Sequence, residues 1–170
     1  MLTHQLDARV RRMLTELKEL VIRESIPVEG IETAPRGSQD FRAFENGAEW
    51  SRDDAWQTFR FAARVPENFR GRVKLCVRTG REGLWEAVNP QILVSINGRV
   101  EAAFDTRHTS IVLKDARPGT AYDVRFDAYS QKPEAHQAYP VMDIRLCDTD
   151  FALEQLCYDL ENPLGAAVML

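Results

Sequence analysis

The chain has 170 residues, of which 44% are hydrophobic and 28% are charged, and its formal net charge is −4 at pH 7. This length and composition predict one globular domain and exclude an intrinsically disordered chain. The negative charge argues against binding to nucleic acid or to an anionic membrane, because such binders carry an excess of basic residues. No apolar run approaches the roughly 20 residues that a membrane-spanning helix needs.

Residues 1–26 are predicted to form an amphipathic helix. Its apolar residues recur at spacings of three and four and therefore share one face: Leu6, Val10, Met13, Leu14, Leu17, Leu20 and Val21. Pro27 is expected to end the helix, because proline cannot continue a helix interior. The apolar face has two interpretations, packing on the core of this chain or docking on a further domain, and the sequence does not separate them.

Residues 27–148 are predicted to form a β-sandwich. Apolar and polar residues alternate, or β-branched residues cluster, in a series of short runs: 56–65, 73–78, 92–96, 109–113, 122–128 and 142–146. Asn97-Gly98 predicts a type I′ hairpin, because both central residues of that turn need positive φ. Short strands joined by turns predict a mainly β fold, an antiparallel sandwich of jelly-roll or galactose-binding-like topology, with an N-terminal helix and a C-terminal helical segment.

Residues 149–170 are predicted to be helical. Four apolar residues share one face after Asp150: Leu153, Leu156, Cys157 and Leu160. Asn162-Pro163 has the composition of a new helix start. The sequence then closes on the apolar run 164–170, whereas natural C-termini more often end in polar tails. We therefore expect this segment to be a linker toward a catalytic domain that the sequence does not include.

The three cysteines are Cys76, Cys147 and Cys157. Their odd number and wide spacing are typical of neither a disulfide framework nor a zinc site. They are interpreted as reduced thiols in a cytoplasmic protein, and a reactive thiol is the less favoured alternative.

Polar and aromatic residues gather around one long loop and one hairpin, and they are the candidate ligand-binding residues: Trp85, Glu86, Asn89, Gln91, Asp105 and His108. Glu86, Asp105 and His108 would form a polar cluster if the loop folded back on the hairpin. As a catalytic set this pattern is weak, because carboxylates are common and the spacing defines no nucleophile–base pair. The favoured interpretation is that the asparagine, aspartate and histidine bond backbone groups and hold the loop.

The tryptophans allow a second interpretation of the same region. Trp85 suits the apolar face of a pyranose ring, although tryptophans more often pack on a core or an interface, and Trp50 and Trp56 have the same two interpretations. A carbohydrate-binding module is therefore the alternative function. The histidines are too far apart in sequence to indicate a pair of metal ligands: His4, His108 and His136.

Several of these motifs occur in the order found in one enzyme family. They are Trp56 to Phe61, Val65-Pro66-Glu67, Phe69-Arg70-Gly71, Thr79 to Gly83, Trp85-Glu86-Ala87, Asn89-Pro90-Gln91, Asn97-Gly98, and Asp105 with His108. Together they resemble the N-terminal β domain of the family-38 glycoside hydrolases, the α-mannosidases. Arg107 and Ala103 depart from the family's pattern, which tends to have asparagine and glycine there. The resemblance extends over residues 44–160.

The resemblance implies a non-catalytic leading domain that supports or contacts a catalytic domain and contributes to homo-oligomer contacts. It implies that the catalytic domain removes α-linked mannose with retention, using an aspartate nucleophile and a divalent metal, usually zinc. The family's metal motif, His-x-His-x-Asp-x-x-Trp, is absent from this sequence. No catalytic residue, metal ligand or cofactor is therefore assigned to this chain itself.

Overall fold

The computed structural model describes residues 2–51, 53–82, 89–134 and 138–167, with side chains described between residues 8 and 162. The elements in chain order are α1 (Leu2–Val21), β1 (Ile22–Pro27), β2 (Glu32–Pro35), β3 (Arg42–Ala43), β4 (Ala55–Arg64), β5 (Arg72–Arg78), β6 (Gln91–Ile96), β7 (Arg99–Phe104), β8 (Ser110–Val112), β9 (Ala121–Ser130), β10 (Asp143–Thr149) and α2 (Phe151–Ala167). This order confirms the predicted fold class, which is mainly β with a helix toward each end.

The described strands form two antiparallel sheets. Sheet A has four strands in the order β1-β10-β5-β8, and sheet B has six in the order β3-β2-β4-β9-β6-β7. Strands that neighbour each other in space, such as β5 and β10, are often far apart in the chain. The chain therefore crosses between the sheets repeatedly, and residues distant in sequence meet on one face.

The core lies between the sheets and consists of alternate residues of the long strands. β4 and β9 pair along their whole length, which places Phe59 opposite Phe126, and both side chains are fully buried. Sheet A contributes buried residues such as Leu75 and Ile144. These positions confirm the inward faces that the period of two predicts for β4, β5, β6, β9 and β10.

The predicted hairpin joins β6 and β7. Asn97 has φ of 50° and Gly98 has φ of 77°, as a type I′ turn requires. The Asn97 side-chain oxygen also accepts a hydrogen bond of 2.9 Å from the Asp123 backbone N–H, which ties the turn to β9.

The N-terminal helix is shorter than predicted. α1 ends at Val21, and residues 22–27, which we expected to be helical up to residue 26, form β1 and pair with β10. Pro27 does not end a helix but lies at the end of an edge strand, where its missing N–H is tolerated. Two factors favour a strand over the predicted helix here. The segment pairs with β10, and Ile22 and Ile26 are β-branched residues, which are enriched in strands.

The C-terminal helical segment is one continuous helix over its described part. α2 continues through Asn162-Pro163, so the expected new helix start at this pair is wrong. Asp150 caps α2, because its Oδ1 accepts a hydrogen bond of 3.0 Å from the Leu153 N–H. No helix in the described ranges is long and apolar enough to cross a membrane.

α1 and α2 pack against each other, and we call them the helix pair. Lys18 of α1 forms an ion pair of 2.7 Å with Glu161 of α2, and Lys74 of sheet A forms another with Glu154. Leu14 is buried, so part of the apolar face of α1 packs within this chain, while Leu20 on the same helix is 64% exposed. Part of the apolar face therefore packs within this chain, and docking of the exposed part on a further domain stays a prediction.

Candidate functional site

Three of the six candidate residues lie at one end of the β6–β7 hairpin. Gln91 begins β6 and Asp105 follows β7, next to the paired residues Ile92 and Phe104. His108 follows on the loop that carries the chain from sheet B to β8 in sheet A. Trp85 and Glu86 lie outside the described residues, so their proposed roles stay predictions.

Asp105 organises this loop through local hydrogen bonds. Its Oδ1 accepts bonds from the backbone N–H groups of Arg107 at 2.7 Å and of His108 at 2.6 Å. Its Oδ2 lies 3.1 Å from Nδ1 of His108, whose side chain is otherwise exposed. These are the bonds that the loop-holding interpretation predicts, and ligand binding by the same residues stays a prediction.

The Asp105 carboxylate makes the loop sensitive to acid. Hydrogen bonds from the backbone N–H groups of His108 and Arg107 lower its pKa from 3.8 to about 2. The unfolded chain then binds a proton more readily than the folded chain, so this stabilisation is present above pH 3.8 and is lost as pH falls toward 2. We expect a carbon NMR titration of the carboxyl group to have its midpoint near pH 2.

The effect on stability is small, at most about 1 kcal/mol, because the carboxylate is partly exposed to solvent. Asp105→Asn is the control, since its amide does not titrate and the variant should lose less stability between pH 4 and pH 2. A midpoint at or above 3.8 would contradict the assigned bonds.

Asn89, the remaining candidate, differs from Gln91 in exposure. Asn89 is 7% exposed and precedes a cis peptide bond to Pro90, so its side chain lies beneath the surface. Gln91 is exposed on the outer face of sheet B, opposite Tyr129 of β9. Only Gln91 of these two is placed to meet a ligand at the surface.

The sequence did not predict that a set of aromatic and polar residues lies beside Gln91 on the outer face of sheet B. Trp56 of β4 lies opposite Tyr129, and their ring centroids are 5.0 Å apart with a tilt of 35°. The Arg36 guanidinium lies 4.5 Å from the Trp56 ring centroid. We call Arg36, Trp56, Tyr129 and Gln91 the aromatic surface. The sequence indicated Trp56 alone, as an outward residue and a candidate for sugar stacking, because the strand neighbours were unknown.

A cavity of about 410 Å³ lies between the outer face of sheet A and the helix pair. Cys76 of β5, Cys147 of β10 and Cys157 of α2 all line it, and all three are free thiols. Arg78 and Arg145 line the same cavity. The sequence did not indicate this grouping, because the pairing of β5 with β10 cannot be inferred from local patterns.

The two sheet cysteines interact with each other and with polar neighbours. Hydrogen bonding from the Cys76 thiol, then from the Ser25 hydroxyl, together with the charge of Arg145, lowers the pKa of Cys147 to about 6 against the opposing effect of burial. The same thiol–thiol bond and burial raise the pKa of Cys76. Ser25 Oγ lies 3.5 Å from Cys147 Sγ and accepts a hydrogen bond of 2.7 Å from Arg145 Nε.

The divalent metal that the α-mannosidase resemblance implies has no ligands assigned in this chain. Among the residues whose side chains are described, no three histidine, cysteine, aspartate or glutamate residues are grouped so that they could hold a metal ion. The metal stays a prediction about a catalytic domain.

The fold and these sites define a β-sandwich domain with a helix pair packed on one sheet. No family model matches the sequence, and no curated protein matches it. A Faecalibacterium prausnitzii β-glucuronidase is similar in structure, with a TM-score of 0.49 and 14% identity over 75% of this chain and 32% of that chain. The FMN-binding β-glucuronidase of Faecalibacterium prausnitzii L2-6 has a TM-score of 0.46 and 16% identity over 75% of this chain and 22% of that chain.

This chain thus spans about a third of the first enzyme and less of the second. Both neighbours are glycoside hydrolases, and neither is an α-mannosidase. Similarities this weak assign neither an activity nor a ligand to this chain, and they do not support the finer α-mannosidase assignment.

Proposed function

We propose that this chain is a non-catalytic β-sandwich domain of a carbohydrate-active hydrolase of the α-mannosidase type, and that it supports a catalytic domain. The observation that carries the proposal is the bonding of Asp105 and His108, which bond each other and their own loop. Polar side chains engaged in this way hold a scaffold in shape. The ordered motifs between residues 44 and 160 support the finer assignment to α-mannosidases.

The helix pair supplies a surface for the catalytic domain. Five large apolar residues on the two helices are between 45% and 64% exposed: Met13, Leu20, Phe151, Leu156 and Tyr158. Exposed apolar groups of this size, when they are contiguous, mark protein contacts. We propose that the catalytic domain of the same enzyme covers part of the helix pair, and that homo-oligomer contacts lie elsewhere. Free cysteines are typical of a reducing compartment, and we propose the cytoplasm.

The proposal predicts that the chain does not hydrolyse an aryl α-mannoside, with or without added zinc. The assay follows release of the aryl group by the purified chain. Turnover that disappears in Asp105→Asn would overturn the proposal, because that residue would then be catalytic. The finer assignment predicts that the gene continues beyond codon 170 into a His-x-His-x-Asp-x-x-Trp segment, and a stop codon directly after it would contradict this part.

Carbohydrate binding is the second candidate, and the aromatic surface favours it. Trp56 is 46% exposed, and its ring lies beside that of the half-buried Tyr129, which is the strand neighbour of Gln91. An aromatic face with a polar group nearby suits a sugar ring. An NMR titration with mannobiose separates the two candidates. A purely architectural domain gives a flat response. A saturable shift of the Trp56 indole that is kept in Trp85→Ala, together with loss of the mannobiose-induced shifts of neighbouring backbone amides in Trp56→Ala, would establish sugar binding.

A further inference from the structure

We propose that Cys76 and Cys147 form a two-sulfur binding site for a soft monovalent metal ion of the Cu(I) class. The site lies in the cavity between sheet A and the helix pair. This inference is independent of the proposed function, since it rests on the pairing of β5 with β10 and on the residues that line the cavity.

The strand register places the two sulfurs side by side without favouring a disulfide. Cys76 lies opposite Arg145, and Cys147 lies opposite Lys74, so the cysteines are diagonal neighbours on the outer face of sheet A. Diagonal neighbours in an antiparallel pair have Cα atoms roughly 7–8 Å apart. A disulfide needs Cα atoms about 4.4–6.8 Å apart. The pair therefore closes a disulfide only if the strands shift.

A metal ion bound between the two sulfurs does not need the short Cα separation that a disulfide needs. Two metal–sulfur bonds of about 2.3 Å in line separate the sulfurs by about 4.6 Å, which is more than twice a disulfide bond length. Thiolate ligands select soft ions, and Cu(I) is the biological member of that class that accepts few ligands. The two cysteines thus offer the ligand type that this ion takes, at neighbouring positions on one face of sheet A.

The charges around the cavity suit the resulting complex. Two thiolates and one monovalent cation carry a net charge of −1, and any proton displaced from a thiol leaves to solvent without electron transfer. Arg78 and Arg145 line the cavity and offset that charge. Lys74 contributes less, because it is paired with Glu154. The Ser25 hydroxyl, 3.5 Å from Cys147 Sγ, is placed to donate to a bound thiolate.

An anaerobic competition titration of the whole chain tests the site. Cu(I) is supplied as its acetonitrile complex, and the chromophoric chelator bathocuproine disulfonate reports the copper it retains. We expect the chain to withdraw one equivalent, and Cys76→Ser and Cys147→Ser each to weaken binding at least about 100-fold. Cys157→Ser is the matched control, since Cys157 lines the cavity from α2, and it should bind as the unmodified chain does.

Two outcomes of this titration would overturn the proposal. One is that the unmodified chain competes no better than Cys147→Ser. The other is that Cys157→Ser abolishes binding, because the ligand pair would then be a different one.

A second measurement needs no variant and so does not depend on the folding of a mutant. Phenylarsine oxide bridges two nearby thiols: its As=O oxygen takes both thiol protons and leaves as water, and two As–S bonds form. We expect peptide mapping of the treated folded chain to find arsenic joining the Cys76 and Cys147 peptides. Arsenic that joins Cys157 to either of them, or no bridged adduct, would contradict the pairing.

Discussion

Replacing Phe59 with alanine is expected to lower the free energy of unfolding by about 3–5 kcal/mol, the largest loss we predict for a single side chain. Phe59 is 0% exposed and lies opposite Phe126 in the centre of sheet B. Its ring also makes edge-to-face contacts with Phe44 at 5.0 Å and with Trp50 at 5.5 Å, measured between centroids. The substitution therefore removes contacts to the neighbouring strand and to the segment before β4 together.

Urea unfolding monitored by circular dichroism measures this loss. Trp56→Ala is the matched control, because it removes an aromatic residue from the same strand on the opposite, exposed face. We expect the control to cost clearly less than Phe59→Ala, since 46% of Trp56 is already exposed to solvent and less apolar surface leaves a buried position. Equal losses in the two variants would show that Phe59 is not central to the core.

Gly71→Ala is expected to cost about 3 kcal/mol, because the added methyl group has no room. A Cβ atom at this position would lie 2.3 Å from the Thr149 carbonyl oxygen and 2.4 Å from Asp148 Oδ1. The first of these is backbone at the end of β10 and cannot rotate away. The Gly71 N–H also donates a hydrogen bond of 2.6 Å to Asp148 Oδ1, so a shift of the chain would weaken that bond as well.

Gly98→Ala separates this steric effect from backbone strain. Nothing lies within 4 Å of a Cβ atom at Gly98, but its φ of 77° disfavours alanine. We expect a cost of about 1 kcal/mol from that conformation alone. Thermal and urea unfolding of the two variants side by side provide the measurement, and a Gly71→Ala variant no less stable than Gly98→Ala would refute the predicted clash.

The sequence predicts those parts of this molecule that are determined locally. The alternation of apolar and polar residues predicted the inward faces of β4 and β9, and Asn97-Gly98 predicted the hairpin. Both features depend only on residues that are close together in the chain. The same holds for the bonds between Asp105 and His108, three positions apart. β1 was missed because its strand conformation depends on β10, a partner at the other end of the chain.

The two groups of residues proposed to bind ligands depend on which strands are neighbours in a sheet. Local sequence patterns do not predict that order. Trp56 and Tyr129 meet because β4 pairs with β9, and Cys76 and Cys147 meet because β5 pairs with β10. Taken one at a time, these residues look like an ordinary outward tryptophan and two isolated thiols. Their proximity is a property of the sheets.

The chain connects the helix pair to the sandwich at one corner of sheet A, and this connection affects how the domain responds to force. α1 runs directly into β1, α2 follows β10 after Asp150, and Ile22 pairs with Thr149 at that end of sheet A. The Asp150 N–H donates to the Val21 carbonyl at 2.8 Å, and the Asp150 carboxylate pairs with Arg23 at 2.6 Å. A pull that separates the helices must break the Lys18–Glu161 ion pair and these contacts, and it then opens β1 from β10 one residue pair at a time. Under such a pull the β1–β10 pair therefore opens by unzipping rather than by shear.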